Sequence, residues 1–378
     1  MNIDELLRYA AKYGASDLHI TAENPPVIRV NGRLKKIPGP PLTTEDAKAL
    51  IYSILTDEQR EAVERKRELD LSYTWGATSP RPFPGAITLD YETPERIRAR
   101  VNVFLDLGGL GAAFRIIPAK IRKLEELPAP PSVAELTRCH SGLVIVTGPT
   151  GCGKSTTLAS MIDQIDQERA VRIITIEDPI EYIFHPRNAL ISQREVGAHS
   201  QSFAAALRAC LREDPDVILV GEMRDLETIR LALTAAETGH LVLSTLHTNN
   251  VAETVDRVID VFPPEQQEYV RQIFANVIRG IISQTLLPRK DGRGRVAAME
   301  VLIATPAVKN LIREAKSHQI ISLVQTGSQY GMQTMDQSLE ILVANGLISA
   351  EVAYAVATDK KLFVSPVTPV IAPGPKGQ

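Results

Sequence analysis

The chain has 378 residues, of which 44% are hydrophobic and 23% are charged, so it is long enough for two or three globular domains. Its formal net charge of −3 disfavours a nucleic acid partner, because proteins that act mainly on nucleic acid usually carry a basic excess. The three cysteines, Cys139, Cys152 and Cys210, contain no CxxC pair and predict neither a zinc ribbon nor a disulfide framework. The first residues lack a signal-peptide core, and no apolar run reaches the roughly 20 residues of a membrane helix. We therefore expect a cytoplasmic protein that does not insert into a membrane.

Residues 1–115 predict a small α+β module. The segment "IDELLRYAAKY" has apolar residues at helical spacing, and "TEDAKALIYSIL" predicts a second helix. The segment "PPVIRVNGRLKKI" predicts a hairpin that turns at Asn31-Gly32, and "RIRARVNVFL" alternates as a half-buried strand does. Residues 76–94 are rich in proline and glycine and predict an exposed loop or an extended hairpin.

Residues 136–355 follow a predicted linker at 116–135 and show a different pattern. Continuously apolar strands alternate there with helices, which is typical of a parallel sheet that is covered on both faces. Beyond about residue 265 the pattern favours helices with one further strand near "AAMEVLI", and residues 356–378 predict a disordered tail. The predicted parallel strands lie at 143–146, 171–176, 217–220 and 241–244.

The segment from Gly148 to Ser155 satisfies the G-x-x-x-x-G-K-S signature of a P-loop, between a buried strand and an amphipathic helix. Glycines let backbone N–H groups surround phosphates, Lys154 supplies a cation, and Ser155 can ligate Mg²⁺. A chance match in a glycine-rich turn is the alternative. The motif predicts ATP and Mg²⁺ as ligands. The residues expected to bind the nucleotide are Gly148, Pro149, Thr150, Gly151, Cys152, Gly153, Lys154, Ser155 and Thr156.

Polar side chains follow each of the predicted parallel strands. Lys154 follows the first strand, Glu177 the second, Glu222 the third and His247 the fourth. Ligands bind beyond the carboxyl ends of parallel strands, so these groups are expected at one edge of the sheet. Glu222 is a candidate for orienting the attacking water, and Glu177 for polarising it or ligating Mg²⁺ through water. His240 and His247 are candidates for sensing the γ-phosphate.

Each of these residues also has a simpler interpretation. Glu222 could form a surface ion pair with Arg224, and Glu177 could cap the turn before Pro179. A lone histidine is more often a satisfied core or interface residue than a functional one. Asp216 begins its strand, roughly 13 Å from the phosphate end at about 3.3 Å per residue, and is therefore expected to be structural.

Three arginines of the N-terminal module, Arg98, Arg100 and Arg115, are candidates for a charge supplied in trans. P-loop ATPases often receive such an arginine to stabilise the charge of the transition state. Strand arginines that simply face solvent are the alternative for each of them. Arg208 and Arg212, on the helix before the third strand, are further candidates.

Several motifs together resemble those of the PilT-type ATPases, the type IV pilus retraction motors of the secretion-ATPase superfamily. The segment "GPTGCGKSTT" resembles their Walker A motif, "TIEDPIEY" their aspartate box, "LREDPDVILVGEMRD" their Walker B motif and "TGHLVLSTLHTN" their histidine box. The segment "GASDLHI" also fits, and "AVKNLIRE" at 307–314 resembles a motif typical of retraction ATPases. The resemblance covers roughly residues 1–350.

The resemblance implies a PAS-like N-terminal domain at 1–115 and a RecA-like ATPase domain at 136–355 with a helical C-terminal part. It also implies a homohexamer that binds ATP between the two domains, with arginines from the N-terminal domain. Glu222 would be the catalytic glutamate and Glu177 the aspartate-box acid. The implied activity is ATP hydrolysis that powers pilus retraction and twitching motility. The implied partner is an inner-membrane platform protein of the pilus, at the inner face of the cytoplasmic membrane.

Three positions depart from the family pattern. Cys152 replaces the usual serine or alanine of the loop, residues 76–94 are longer than usual, and Gly108 stands where an arginine is common. Two other functions therefore stay open. One is a pilus assembly or type II secretion ATPase, although such relatives usually carry a tetracysteine zinc module. The other is a nucleotide-gated accessory ring with low turnover.

Overall fold

The computed structural model describes residues 2–30, 32–75, 97–117 and 121–363. Contacts between residues divide the chain into two compact units, and the division differs from the predicted domains. Residues 166–215, assigned to the ATPase domain from the sequence, group with the N-terminal residues, where Arg98 forms an ion pair with Glu195. The first unit is Met1–Arg122 with Asp166–Pro215, and the second is Lys123–Ile165 with Asp216–Gln378.

The N-terminal part of the first unit is a six-stranded antiparallel sheet that packs its apolar face against helices. Its strands run in the order β3-β2-β1-β6-β5-β4. The elements are α1 Ile3–Lys12, β1 Asp17–Ile20, β2 Val27–Val30, β3 Arg33–Lys36, α2 Thr44–Tyr52, α3 Asp57–Lys66, β4 Glu68–Trp75, β5 Ile97–Asp106 and β6 Gly109–Ile117.

Alternation along β5 divides this sheet into an apolar and a polar face. Ala99, Val101 and Val103 are fully buried, whereas Arg100 is exposed. This alternation confirms the predicted half-buried strand. The structure also confirms the hairpin between β2 and β3 and the helices α1 and α2. Side-chain caps begin the helices, as where the Thr43 side chain accepts the Asp46 N–H and the Asp46 carboxylate accepts the Thr43 N–H.

The rest of the first unit contains β8 Arg172–Glu177, β9 Leu190–Glu195 and α6 Phe203–Cys210. Strands β8 and β9 pair in parallel, with Glu177 opposite Glu195 at their carboxyl ends. The buried Asp166 carboxylate accepts hydrogen bonds from the backbone N–H groups of Arg187 and Ala189. These bonds fix the loop that enters β9, because a buried carboxylate needs such donors.

The second unit is built on strands β7, β10, β11, β12 and β13, which follow the order β13-β12-β7-β11-β10. Strands β12, β7, β11 and β10 run parallel, and β13 is antiparallel to β12. Every residue of β7, β10 and β11 is buried, which confirms the predicted covered parallel strands. The strands are β7 Gly142–Thr147, β10 Val217–Val220, β11 Leu241–Thr245, β12 Ile278–Pro288 and β13 Arg295–Ile303.

Helices cover these strands and form the C-terminal part of the second unit. Among the described residues, no helix is both long and apolar enough to cross a bilayer. The helices are α4 Pro131–Thr137, α5 Lys154–Glu168 (which runs into the first unit), α7 Leu226–Glu237, α8 Val251–Asp260, α9 Pro264–Val277, α10 Pro306–Arg313, α11 Ile320–Thr326, α12 Met335–Ala344 and α13 Ala350–Val356. Short 3₁₀ turns lie at Leu124–Glu126, Ser317–Gln319, Ser328–Tyr330 and Lys360–Phe363.

The structure differs from the sequence predictions at three places. Strand β12 lies where mostly helices were predicted, because a strand buried on both faces shows no alternation of apolar and polar residues. The predicted linker at 116–135 contains the start of α4 and the buried Leu124. The predicted tail from 356 begins with ordered residues, since the side chain of Phe363 is buried. Residues 364–378, like the predicted loop at 76–94, lie outside the described residues.

Candidate functional site

The predicted P-loop joins β7 to α5 in the second unit. Gly148 has a φ of 136°, and a Cβ at this position would collide with the backbone carbonyl oxygen of Gln284. Gly151 has a φ of 78°, which other residues rarely adopt. Helix α5 begins at Lys154, so the loop leads into the free N–H groups and the positive end of a helix dipole. This arrangement is suited to binding phosphate.

The Lys154 ammonium is held inside this loop. Its Nζ donates to the carbonyl oxygens of Gly148, at 2.7 Å, and of Pro149, at 3.2 Å, and the residue is 9% exposed. None of the described carboxylates forms an ion pair with it, so its charge is available to an anion. Burial raises the pKa of the neighbouring Cys152 thiol, so Cys152 contributes its backbone and a neutral side chain.

A chain of polar contacts runs from the P-loop to Glu222. Lys154 Nζ lies 3.5 Å from His247 Nδ1, and His247 Nε2 lies 3.0 Å from Glu222 Oε1. If the ammonium donates to Nδ1, the proton of the neutral imidazole is on Nε2, where it is donated to Glu222. Three residues predicted from the ends of three different strands are thus brought together.

Glu222 also forms the ion pair that was the simpler interpretation of this residue. Arg224 Nε lies 2.8 Å from Glu222 Oε1, and the Glu222 side chain is 17% exposed. Burial alone would raise the pKa of Glu222, but the hydrogen bonds from Arg224 and His247 outweigh it and hold the pKa below its usual range. Glu222 is therefore a carboxylate at neutral pH and can accept a hydrogen bond from water.

His240 is not part of this cluster. It precedes β11, whereas His247 follows it, and five strand residues at about 3.3 Å each separate the two ends by roughly 17 Å. Its Nδ1 lies 2.9 Å from the carbonyl oxygen of Ala235. In this chain His240 therefore has a local hydrogen-bond partner and lies at the opposite end of β11 from His247, and its role as a phosphate sensor stays a prediction. Asp216, immediately before β10, accepts the Leu241 N–H through its carbonyl oxygen.

Glu177 ends β8 in the first unit and is partly buried. Its carboxylate accepts hydrogen bonds from Thr175 Oγ1 at 2.6 Å, Gln193 Nε2 at 3.3 Å and the Glu181 N–H at 3.4 Å. Burial raises the pKa of Glu177, against these donors. The bond to Glu181 is the turn-capping contact that was the simpler interpretation, and it leaves oxygen lone pairs for another ligand.

The predicted arginines lie on the polar face of the antiparallel sheet in the first unit. Arg100 and Arg115 are direct partners on neighbouring strands, and Arg115 is paired in turn with Asp17. Arg115 Nε lies 3.2 Å from Asp17 Oδ1 although its side chain is 71% exposed, and Arg29 lies 3.7 Å from the same carboxylate. Arg100 is exposed and bonds to no other described side chain. This row of side chains carries a local positive excess.

Arg98 differs from the other two arginines, because it is committed within the chain. Its Nη2 lies 2.9 Å from Glu195 Oε2, and the two side chains are 16% and 14% exposed. Arg208 and Arg212 are exposed residues of the first unit.

The profile described as "Type II/IV secretion system protein" matches residues 129–353. The chain is 51% identical to the type IV pilus retraction ATPase PilT of Pseudomonas aeruginosa, over 93% of this chain and 96% of that protein. It is 50% identical to the twitching motility protein of Neisseria gonorrhoeae, over 87% of this chain and 83% of that protein. A crystal structure of the pilus retraction motor PilT with bound ADP superposes with a TM-score of 0.83, at 47% identity, over 96% of this chain and 98% of that one.

The chain belongs to the type II/IV secretion system protein family. The α/β ATPase fold inferred from the motifs is thereby confirmed, whereas the PAS-like character of the N-terminal sheet stays a prediction.

One residue that positions the P-loop of this secretion-family protein was missed from the sequence. Gln284 Nε2 donates to the Cys152 carbonyl oxygen at 2.8 Å, and its Oε1 accepts from Thr157 Oγ1 at 2.9 Å. Gln284 lies on β12, the strand that the sequence did not reveal. The polar segment 283–285 between the apolar pairs at 281–282 and 286–287 is the signal that could have identified it, because a buried amide needs partners.

Gly108 lies at the tip of the β5–β6 hairpin, where this chain departs from the pattern of its family. Its N–H donates to Asp106 Oδ1 at 2.8 Å, and its carbonyl oxygen accepts from Thr44 Oγ1 at 3.1 Å. The adjacent Leu107 is fully exposed. The tip therefore presents an apolar side chain and no cation.

Proposed function

We propose that this protein is an ATPase that powers the retraction of type IV pili and thereby twitching motility. The observation that carries the proposal is the contact chain of Lys154, His247 and Glu222 beside the phosphate loop. It combines a cation for phosphate with a carboxylate that can orient water. The retraction direction is supported by the high identity to relatives named for retraction and twitching.

In this proposal the P-loop N–H groups and Lys154 bind the phosphates, and Glu222 orients the attacking water. His247 links the two, so that a phosphate which attracts Lys154 also changes the hydrogen bonds of Glu222. Mg²⁺, when bound with ATP, neutralises charge on the phosphates. Ser155 and Glu177 are the residues proposed to hold it. They offer the hydroxyl and carboxylate oxygens that Mg²⁺ prefers, and the Ser155 hydroxyl bonds to no described residue.

The exposed arginine row supports a homohexamer in which one subunit completes the site of the next. Arg100 and Arg115 lie opposite each other, and like charges at such positions are destabilising. An anion from a neighbouring copy would relieve this repulsion, and the phosphates of ATP supply that charge. We propose that at least one of the two arginines acts in trans.

A retraction motor must also transmit its work to the pilus. We propose that the ring works in the cytoplasm, at the inner face of the cytoplasmic membrane, against a platform protein of the pilus machinery. A nucleotide-gated accessory ring with low turnover is the second candidate, and the missing arginine at Gly108 favours it.

The test combines turnover with pilus imaging. Wild type should hydrolyse ATP, and Glu222→Gln should bind ATP yet hydrolyse it at least about a hundredfold more slowly, since a positioned base contributes 10²–10⁴ in rate. Normal turnover by Glu222→Gln together with loss of turnover by Glu177→Gln would move the base to Glu177. Negligible wild-type turnover would favour the accessory ring.

Deletion of the gene decides the direction of work. Accumulation of surface pili indicates retraction, whereas loss of pili indicates an assembly ATPase and contradicts the proposal.

A further inference from the structure

One face of β9 carries two polar side chains, Gln193 and Glu195, that both reach the segment after Glu177. Residues two apart on a strand point to the same side, which explains why both face this segment. The residue between them, Arg194, pairs elsewhere, with Glu213 at 2.8 Å. We name Gln193 and Glu195 the β9 clamp.

Gln193 uses both ends of its amide. Its Oε1 accepts the Phe184 N–H at 2.9 Å, and its Nε2 donates to the Tyr182 carbonyl oxygen at 2.8 Å. The same Nε2 lies 3.3 Å from Glu177 Oε1. One side chain therefore fixes both the backbone after Glu177 and one oxygen of its carboxylate.

Glu195 connects the same segment to the antiparallel sheet. Its Oε2 accepts the Ile180 N–H at 3.0 Å and the Arg98 guanidinium at 2.9 Å. Ser72 Oγ lies 3.2 Å from this oxygen and 3.3 Å from Oε1. The pair with Arg98 is largely buried, so it is screened less by salt than a surface ion pair.

We propose that the β9 clamp positions Glu177 for the Mg²⁺–nucleotide complex, and that Arg98 acts through Glu195 inside its own subunit rather than on a neighbouring one. The inference rests on the proposed function, because it assumes that Glu177 serves a metal-bound nucleotide. It assigns positioning roles to Gln193 and Glu195, and it removes Arg98 from the arginines that act in trans.

The geometry favours positioning over simple support of the fold. Without Gln193, Glu177 Oε1 keeps Thr175 as its only donor among the described residues, and the Tyr182 carbonyl oxygen and the Phe184 N–H lose the Gln193 amide. A carboxylate next to a metal tolerates little rotation, and loss of an outer-shell partner typically costs 10–100-fold in metal affinity. The expected defect is therefore specific for Mg²⁺.

The first experiment titrates Mg²⁺ against the full-length protein bound to a fluorescent, non-hydrolysable ATP analogue. Gln193→Ala and Glu195→Gln should raise the Mg²⁺ midpoint by about 10- to 100-fold, while analogue affinity in EDTA changes by less than about twofold. Glu213→Gln is the matched control, because it breaks the Arg194 pair of the same strand and should leave the midpoint unchanged. Equal losses of affinity with and without Mg²⁺ would indicate a merely structural role and overturn the proposal.

The second experiment tests whether Arg98 acts through Glu195 within its own subunit or acts on a neighbouring subunit. Arg98→Ala combined with Glu195→Gln should be no worse than the more severe single variant, since both break one pair. Mixing Arg98→Ala with Lys154→Ala subunits should restore no activity, because both defects lie within a subunit. Additive losses, or recovery of turnover in mixed rings, would return Arg98 to a role in trans.

Failure of the clamp and failure of the proposed function remain distinguishable. If wild type shows no Mg²⁺-dependent ATP turnover, the proposed function is wrong. If wild type turns over ATP and both clamp variants keep its Mg²⁺ midpoint, only the clamp is wrong.

Discussion

The two units of this protein handle charge in opposite ways. In the second unit, the cation Lys154 and the carboxylate Glu222 are linked through His247, so the charged groups of the candidate site stabilise one another. In the first unit, Arg100 and Arg115 lie opposite each other on an exposed face with one carboxylate, Asp17, nearby. In the first arrangement the charges are linked within the chain, whereas among the described residues of the first unit the second has positive charge in excess.

This difference indicates which charged ligand each unit would bind. The cluster around Lys154 can accept a phosphate, which would replace carbonyl oxygens as the partner of the ammonium. The arginine row would be satisfied by an anion that the described residues of its own unit do not supply, since the like-charged pair is destabilising. In the proposed function, a nucleotide shared between copies of the chain would meet both requirements.

The largest expected effect comes from removing the cation of the second unit. Lys154→Ala should abolish measurable nucleotide binding and turnover, because the loop loses its charge beside a polyanion. Binding of labelled ATP and release of phosphate measure this, with the exposed Lys290→Ala of the same unit as the control. Unchanged affinity and turnover in Lys154→Ala would mean that the loop does not bind phosphate.

The next effect concerns the arginine row. Arg100→Ala or Arg115→Ala should lower turnover more than about a hundredfold while ATP binding persists, since an arginine supplied in trans contributes about 10³–10⁵ in rate. Turnover per subunit should rise with protein concentration as hexamers form. Arg33→Ala, on the exposed strand β3 of the same sheet, is the matched control and should behave as wild type.

Mixed rings test whether the two units cooperate between subunits. Adding Lys154→Ala subunits to the defective arginine variant should partly restore activity, because each subunit supplies what the other lacks. A fully active monomer whose rate is independent of concentration would contradict the shared site. So would mixed rings without recovery in which neither arginine variant had lost activity.

The sequence predicted the second unit's cluster well, for a physical reason. Parallel strands bring their carboxyl ends to one edge, so counting from strand ends was enough to place Lys154, Glu222 and His247 together. The same rule explains why His240, which precedes β11, lies away from this cluster. Direction along the strand, not membership of the motif, decides which histidine reaches the loop.

The groups that the sequence did not reveal are those that act through distant partners. Gln284 reaches Cys152 over 132 positions, and Arg98 reaches Glu195 over 97 positions. No local spacing encodes such contacts, because they depend on how strands pack in three dimensions. Arg98, Arg100 and Arg115 looked equivalent in sequence, and only the buried partner of Arg98 distinguishes it from the other two.

The smallest expected effect is a shift in pH dependence within the second unit. The pKa of Glu222 is held low by Arg224 and His247 against the opposing effect of burial. Arg224→Ala removes one of the two donors, so the pKa of Glu222 should rise and the acid limb of the pH–turnover profile should move to higher pH. Because the Arg224 side chain is 69% exposed and therefore screened, we expect this shift to be small.

The lowered pKa of Glu222 also makes the stability of the folded protein depend on pH. A carboxylate whose pKa is lowered by folding stabilises the protein above its unfolded pKa, and this contribution is lost as the pH falls through the lowered value. Arg224→Ala should therefore reduce stability at neutral pH slightly, with little difference from wild type in strong acid. Arg224→Lys keeps the charge and should shift the acid limb less. An acid limb that stays in place in Arg224→Ala would show that protonation of Glu222 does not limit turnover, and it would separate the ion pair from the hydrolytic role of this carboxylate.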